Sequence, residues 1–216
     1  MLSDLPPIPD GYSPVPPGKL ATIVTCLEML EKPPRKAVRP VERPMLVERW
    51  EKPPLDEYRA LFRAIGEDWL WFSRLVMPEE ELRGKLDHPL VENYLLRDGK
   101  RAIGLAELDF RVGGECELGL FGLTPDATGQ GGGRFLMSRM IARAWSRPIT
   151  RFWLHTCTFD SPQALGFYKR SGFRPYALMV EIAEDPRLSG HLPRTAAAHI
   201  PLAVEAARVV PTNLVG

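Results

Sequence analysis

Thr124-Pro125-Asp126-Ala127-Thr128-Gly129-Gln130-Gly131-Gly132-Gly133-Arg134 joins a strand-like run, Glu117 to Leu123, to a helix-like one, Phe135 to Trp145. In the second run Met137, Met140, Ile141 and Ala144 recur at helical spacing. The unit is therefore strand, glycine loop, helix. One glycine would suffice for a turn, and this loop has four. A glycine loop opening a helix presents unpaired backbone N–H groups at the positive end of the helix dipole, and missing side chains let an anion approach closely. The pattern points to a phosphate-bearing ligand. A Walker loop ends in Gly-Lys-Ser/Thr, whereas Gly133 is followed by Arg134-Phe135. A dinucleotide fingerprint needs a third glycine three residues after Gly131, where Arg134 stands. Both nucleotide readings fall.

Downstream, Arg151 to Thr158 reads as a strand. Ser161 is expected to cap a helix with Pro162 at its first position, and Ala164-Leu165-Gly166-Phe167-Tyr168-Lys169-Arg170 runs on to Gly172-Phe173, where glycine suits the C-terminal cap. Upstream, Leu55, Tyr58, Leu61, Phe62 and Ile65 mark a helix that Gly66 stops, and a second helical stretch ends in a segment opened by Pro78. Glu79, Glu80 and Glu81 there read as a helix start, favoured by the dipole, and not as a metal site. From Asn93 the pattern turns β: a strand to Arg97, an Asp98-Gly99 turn, a strand from Arg101 to Arg111, a Gly113-Gly114 turn, then the strand leading to the loop.

Together these segments resemble the GNAT superfamily of acyl-CoA-dependent N-acyltransferases. The phosphate loop of that family, R/Q-x-x-G-x-G/A, is matched by Thr128-Gly129-Gln130-Gly131-Gly132-Gly133, with Gly131 and Gly133 on the small positions. Its later signature, Asn then A-x-x-x-Y-x-x-x-G-F, is similar to Ser161, Ala164, Tyr168, Gly172 and Phe173. The resemblance covers roughly residues 55 to 180. Two departures stand out: Thr128 replaces the usual Arg or Gln, and Ser161 the usual Asn. The first bears on pyrophosphate binding and the second on a contact to the pantetheine arm, while the backbone donors remain.

The resemblance implies an α+β fold in three layers, a mixed and mostly antiparallel seven-stranded sheet flanked by helices, which the extra N-terminal strands would extend. Strands Glu117 to Leu123 and Arg151 to Thr158 would splay apart to admit pantetheine, with main chain near Phe121 and Leu123 holding it and polarising the thioester carbonyl. The donor-binding set is then Phe121, Leu123, Thr128, Gly129, Gly131, Gly132, Gly133, Arg134 and Ser161, with acetyl-CoA as donor cosubstrate and no metal. The activity implied is N-acetyl transfer to a primary amine of a small-molecule acceptor, by direct attack in a ternary complex. A catalytically silent acyl-CoA-binding module and a protein N-acetyltransferase are the alternatives.

An amine of ordinary pKa near 10.4 must shed its proton at pH 7, a penalty of roughly 4.6 kcal/mol, before it can attack. Glu117, on the strand leading to the loop, is the candidate base, against its being a plain polar strand residue. Tyr168 stands where the family takes the acid that protonates the leaving thiolate, against its packing in the core one turn from Ala164. His155 and Cys157 share a strand face but stand too far apart for a nucleophile and base pair. Trp69, Trp71 and Arg74 follow the first helix; core packing is the safer reading, and an aromatic acceptor pocket the other.

Composition bounds the rest. The 216 residues carry 28 Lys plus Arg against 27 Asp plus Glu, a net +1 that gives no electrostatic reason to expect nucleic acid or an anionic membrane as partner. No apolar stretch approaches the roughly 20 residues that cross a bilayer, and Met1 to Asp10 lack the basic flank and apolar core of a secretory signal. A cytoplasmic protein is expected. Cys26, Cys116 and Cys157 read as buried reduced thiols. Of 22 prolines, 12 lie in residues 1–54 and four in 186–216, so the ends read as arms. The expected organisation is an extended Pro-rich lead-in (1–18), a strand-containing arm packed on the core (19–54), the acetyltransferase domain (55–184) and a tail (185–216). In the arm, Leu20 to Met29 and Pro44 to Trp50 read as strands around a basic loop from Lys32 to Arg43; in the tail, Pro201 to Val209 is weakly helical. Packing of the arm on a second copy, a homodimer, is the other arrangement it allows.

Overall fold

A computed structural model of the chain describes residues 8–34 and 44–202. Seven strands form one sheet: β1 (Lys19–Met29), β2 (Met45–Arg49), β3 (Val91–Asp98), β4 (Arg101–Asp109), β5 (Glu115–Leu123), β6 (Arg151–Cys157) and β7 (Arg174–Glu184). The helices are α1 (Leu55–Gly66), α2 (Ser73–Val76), α3 (Glu79–Leu86), α4 (Gly132–Ala144) and α5 (Ala164–Ser171). Single 3₁₀ turns at Glu67–Trp69 and Pro125–Ala127 complete the described elements.

Alternation along the strands builds three layers. Leu95 and Leu105 turn to one face, under Tyr58 and Ile65 of α1 and Leu82 and Leu86 of α3. Leu96, Ala106 and Leu108 turn to the other, under Leu136, Met137 and Met140 of α4 and Tyr168 of α5. Each helix starts and stops for local reasons. Glu79, Glu80 and Glu81 occupy the first turn of α3, and Gly172, at φ 112°, closes α5 in a conformation that only glycine adopts without strain. The turns at Gly99 and Gly114 likewise hold positive φ.

The strand order is β2-β3-β4-β5-β6-β1-β7. All neighbours are antiparallel except β5 and β6. The seven-stranded mixed sheet is as the sequence implies, but the two N-terminal strands are members of the seven and not additions to them. β1 lies inside the sheet, paired with β6 on one side and β7 on the other, with Leu27 and Met29 in the main core. Among the described residues β7 has no strand beside it but β1, which supplies a long apolar, β-branched partner. β2 forms the opposite edge against β3. After β7, the buried Asp185–Arg187 ion pair turns the chain, Arg187 donates to the carbonyls of Ala196 and Ile200, and Leu192, Ala196 and Ala197 pack on Leu20 and Leu70. The expected loop from Lys32 to Arg43 and helix from Pro201 to Val209 fall largely outside the described residues.

Candidate active site

β5 and β6 pair only from Glu115 to Glu117 against Arg151 to Trp153. Beyond that point they part, and Leu118 to Leu123 keeps β4 on one side with no strand among the described residues on the other. A register shift at Glu107/Leu108 leaves Gly119 unmatched, and the carboxylate of Glu107 lies where a Cβ at Gly119 would stand, 2.6 Å away. The gap opens on a cleft of about 540 Å³.

One wall of the cleft is the glycine loop. Gly129 and Gly131 hold φ of 84° and 86°, a left-handed geometry that turns successive N–H groups toward one point. Among the described residues, no acceptor takes the backbone N–H groups from Gly129 to Arg134, and the first turn of the 13-residue helix α4 carries no acid and no side-chain cap. Gly129, Gly131, Gly133 and the exposed Arg134 line the cleft. Gly132 faces the core instead: a Cβ there would lie 3.1 Å from Leu96 Cδ2 and 3.3 Å from Met45 Sδ, so only its N–H is available to a ligand. Thr128 borders the cleft, but its hydroxyl donates to Thr124 O at 3.4 Å.

The other walls come from β5 and the lead into α5. Phe121, Leu123 and Ser161 all line the cleft. Ser161 caps a turn that leads into the helix and not the helix itself: its hydroxyl accepts from Gln163 N–H at 3.4 Å and its carbonyl from Ala164 N–H at 2.8 Å, while α5 begins at Ala164 with Gln163 before it. Tyr168 follows on the second turn of α5. Its ring lies between Phe121 (centroids 6.3 Å), Phe167 (5.6 Å) and Phe173 (6.3 Å), so it is a core residue and a wall of the cleft at once. The hydroxyl has no hydrogen-bond partner among the described residues, and burial and the nearby Asp160 carboxylate push the phenol above its ordinary range.

A second, smaller cavity of about 180 Å³ adjoins the first, and Trp69, Trp71, Phe121, Asp160 and Tyr168 border both. Trp71 rests on two glycines: a Cβ at Gly66 would stand 2.3 Å from Trp71 Cβ, and one at Gly122 2.9 Å from Trp71 Cη2. Its indole N–H donates to Asp160 Oδ1 at 3.0 Å, while Asp160 Oδ2 accepts from Thr156 Oγ1 (2.6 Å) and Cys157 N–H (3.0 Å). Asp160 thus ties α1's trailing loop to the end of β6, a role the sequence reading missed; its only signal was an acid just past a strand end, before Ser161-Pro162.

The remaining candidates separate. Arg74 is buried away from both cavities on Glu107, which also receives Lys85, each at 3.0 Å. Glu117 lines neither cavity. Burial pushes its carboxyl upward, and its Oε1 lies 3.8 Å from Nδ1 of His155, which does line the smaller cavity. Cys157 makes no bond to His155, and burial and Asp160 push its thiol upward, against thiolate chemistry. All three cysteines are free. Among the described residues no group of three His, Cys, Asp or Glu could hold a metal, and no helix is long and apolar enough to cross a membrane.

Known structures share this fold. A conserved protein of unknown function from Staphylococcus epidermidis superposes with a TM-score of 0.54 at 12% identity, over 78% of this chain and 63% of that one. A GCN5-related N-acetyltransferase from Sphaerobacter thermophilus gives 0.53 at 17%, over 81% and 53%. An acetyltransferase from Thermus thermophilus gives 0.50 at 17%, over 66% and 99%. The chain thus spans less than two thirds of the first two, and at such identities the likeness concerns the fold. No curated protein sequence matches the chain. The model of the acetyltransferase (GNAT) family matches residues 38–173, from the lead into β2 to the end of α5, leaving out β1 and β7, which pair with each other. With well over half its length matched, the chain belongs to the GNAT acetyltransferase family.

Proposed function

We propose that the protein transfers an acetyl group from acetyl-CoA to a primary amine. The observation that carries this reading is the run of unclaimed N–H groups from Gly129 to Arg134, at a helix start, on a cleft that continues to Tyr168. The N–H groups would hold the donor's pyrophosphate and Arg134 would add a charge. The free main-chain edge of Leu118 to Leu123 would take the pantetheine amides and, near Phe121 and Leu123, polarise the thioester carbonyl. Bound acetyl-CoA supplies an acyl carbon with a thiol leaving group.

In the transfer a C–N bond forms, the C–S bond breaks, the amine nitrogen gives up a proton and the departing sulfur takes one. Tyr168 is the donor to sulfur, because its phenol stays protonated above the ordinary range. The amine's proton leaves toward Glu117 by way of His155 or a water, since the Glu117 carboxylate does not itself reach either cavity. Ser161 contributes its half-buried hydroxyl to the donor wall. A donor of this kind and three reduced thiols support a cytoplasmic setting.

Two measurements test the reading. Acetyl-CoA at about 100 times its dissociation constant should stabilise the protein by roughly 2.7 kcal/mol. Gly131→Glu, which puts a carboxylate in the anion site, should abolish that shift. Free-thiol release on adding amines then separates an enzyme from a silent acyl-CoA-binding module, which would show the shift without the thiol. An undiminished shift in Gly131→Glu overturns the donor site.

A further inference from the structure

We infer that the acceptor is a small cationic amine whose apolar body has about the bulk of one ring, and which carries no carboxylate or phosphate. This rests on the acetyl-transfer reading, and it comes from the smaller cavity. That cavity meets the donor cleft at Phe121 and Tyr168, so an amine at the junction would leave its body inside. The body would lie among Phe62, Trp69, Trp71, Phe72 and Phe159. At about 180 Å³ the space is close to the roughly 150 Å³ of an apolar cavity that takes benzene. Aromatic faces also attract an ammonium through the ring quadrupole.

Charge selects further. No Lys or Arg lines this cavity; its titratable groups are Asp160, Glu181 and His155, with the thiol of Cys157 and the phenol of Tyr168. Asp160 is committed to three donors, whereas Glu181, exposed on β7, has no ion pair among the described residues. A cation is therefore met by a free carboxylate, and an acceptor carboxylate or phosphate would lose water with no cation to replace it. Amino acids are excluded on that ground, and aminoglycosides on bulk.

The test pairs thiol release with binding. Phenethylamine and cyclohexylamine are compared with phenylalanine, spermidine and kanamycin, and binding to the CoA-loaded protein is followed by tryptophan fluorescence, since Trp69 and Trp71 form the wall. The ring amines should exceed phenylalanine in kcat/KM by at least about tenfold, because an unpaired carboxylate must be desolvated. Glu181→Gln should raise KM for phenethylamine by about threefold and leave that for acetyl-CoA unchanged, with Glu181→Asp restoring it. Thiol release with phenylalanine, spermidine or kanamycin in preference to the ring amines overturns the acceptor class and leaves acetyl transfer standing. Binding of phenethylamine with no thiol from any amine overturns acetyl transfer and leaves the ligand class standing. Neither binding nor release overturns both.

A separate observation concerns β7. The two edges of the sheet differ: β2 is five residues long and ends in Glu48 and Arg49, while β7 runs for eleven and exposes Leu178 (72%), Val180 and Ile182 on one face. Asp185 N–H donates to Gly18 O, so alternation turns the main-chain groups of residues 178, 180, 182 and 184 outward, away from β1. We propose that this edge pairs antiparallel with the same strand of a second copy, about a two-fold axis at Met179. That register sets Leu178 opposite Val180, both exposed and apolar, and the regular ladder ends at Tyr176, which a bulge leaves unmatched opposite Cys26 and Leu27. Sedimentation velocity should find a dimer that Val180→Lys dissociates without lowering the melting temperature. Leu178→Lys should dissociate it in the same way, since Leu178 faces Val180 of the second copy. A monomer at all concentrations, or a dimer indifferent to these changes, overturns the pairing.

Discussion

Asp160→Asn removes the charge that ties the acceptor wall together. The carboxylate accepts from Trp71 Nε1 on one oxygen and from Thr156 Oγ1 and Cys157 N–H on the other. An asparagine offers one oxygen and one NH₂, so whichever way it turns, an N–H faces another N–H or O–H. If the oxygen serves Thr156 and Cys157, the indole of Trp71 is left without an acceptor. A hydrogen bond to a charged group contributes about 1.5–3 kcal/mol, and the two that survive become neutral, so the total loss is about 3 kcal/mol. In a protein of this size that is roughly 6–12 °C in melting temperature. Calorimetry reads the loss, and a red shift in tryptophan emission reads the release of Trp71. A double-mutant cycle isolates the pair: in the Trp71→Phe background the same substitution should cost at least about 1 kcal/mol less. A melting temperature lowered by under about 2 °C, or full additivity in the cycle, refutes the tie.

Four further outcomes follow from the site and the packing around it. Tyr168→Phe should bind acetyl-CoA as the parent does but turn over about 10²- to 10⁴-fold more slowly, with a smaller loss for a thioester whose thiol is more acidic; a parental rate with chemistry limiting would make Tyr168 a packing residue. Because burial raises the phenol's pKa, the kcat profile of the parent should show no falling alkaline limb at the ordinary phenol range near 10. Glu92, buried and ion-paired with Arg143 and Arg147, has its carboxyl lowered from 4.5 to about 2: desolvation pulls upward, but Arg143, Tyr94 and Arg49 outweigh it. Its contribution is whole above pH 4.5, fades as pH falls toward 2 and is gone below; solvent at the two arginines trims it to about 2–3 kcal/mol. Denaturant titrations of Glu92→Gln should therefore show a flatter loss of stability between pH 5 and 2 than the parent. Leu27→Ala, in the interior strand β1, should cost about 2–5 kcal/mol by urea unfolding, whereas a dispensable arm would lose under 1.

What the sequence by itself determined is local. The strand, glycine loop and helix from Glu117 to Ala144 are legible because strand alternation, glycine spacing and helical period each act within about a dozen residues, and the same holds for Tyr168 on a helix closed by Gly172-Phe173. Ser161 reads as the cap of the helix because a single turn and a first helical turn begin with the same residues; its hydroxyl accepts from Gln163 N–H, but the α-helix starts at Ala164. Tertiary structure alone decided the rest. Nothing in Lys19–Met29 names β6 and β7 as its neighbours, since strand pairing joins residues more than 120 positions apart and any apolar β-branched run could serve. Nor could the sequence bring Trp71 onto Asp160, Glu117 beside His155, or Glu181 to the cavity mouth, because each pair meets through the splay of β5 and β6 and the register of β1, which are properties of the packed sheet.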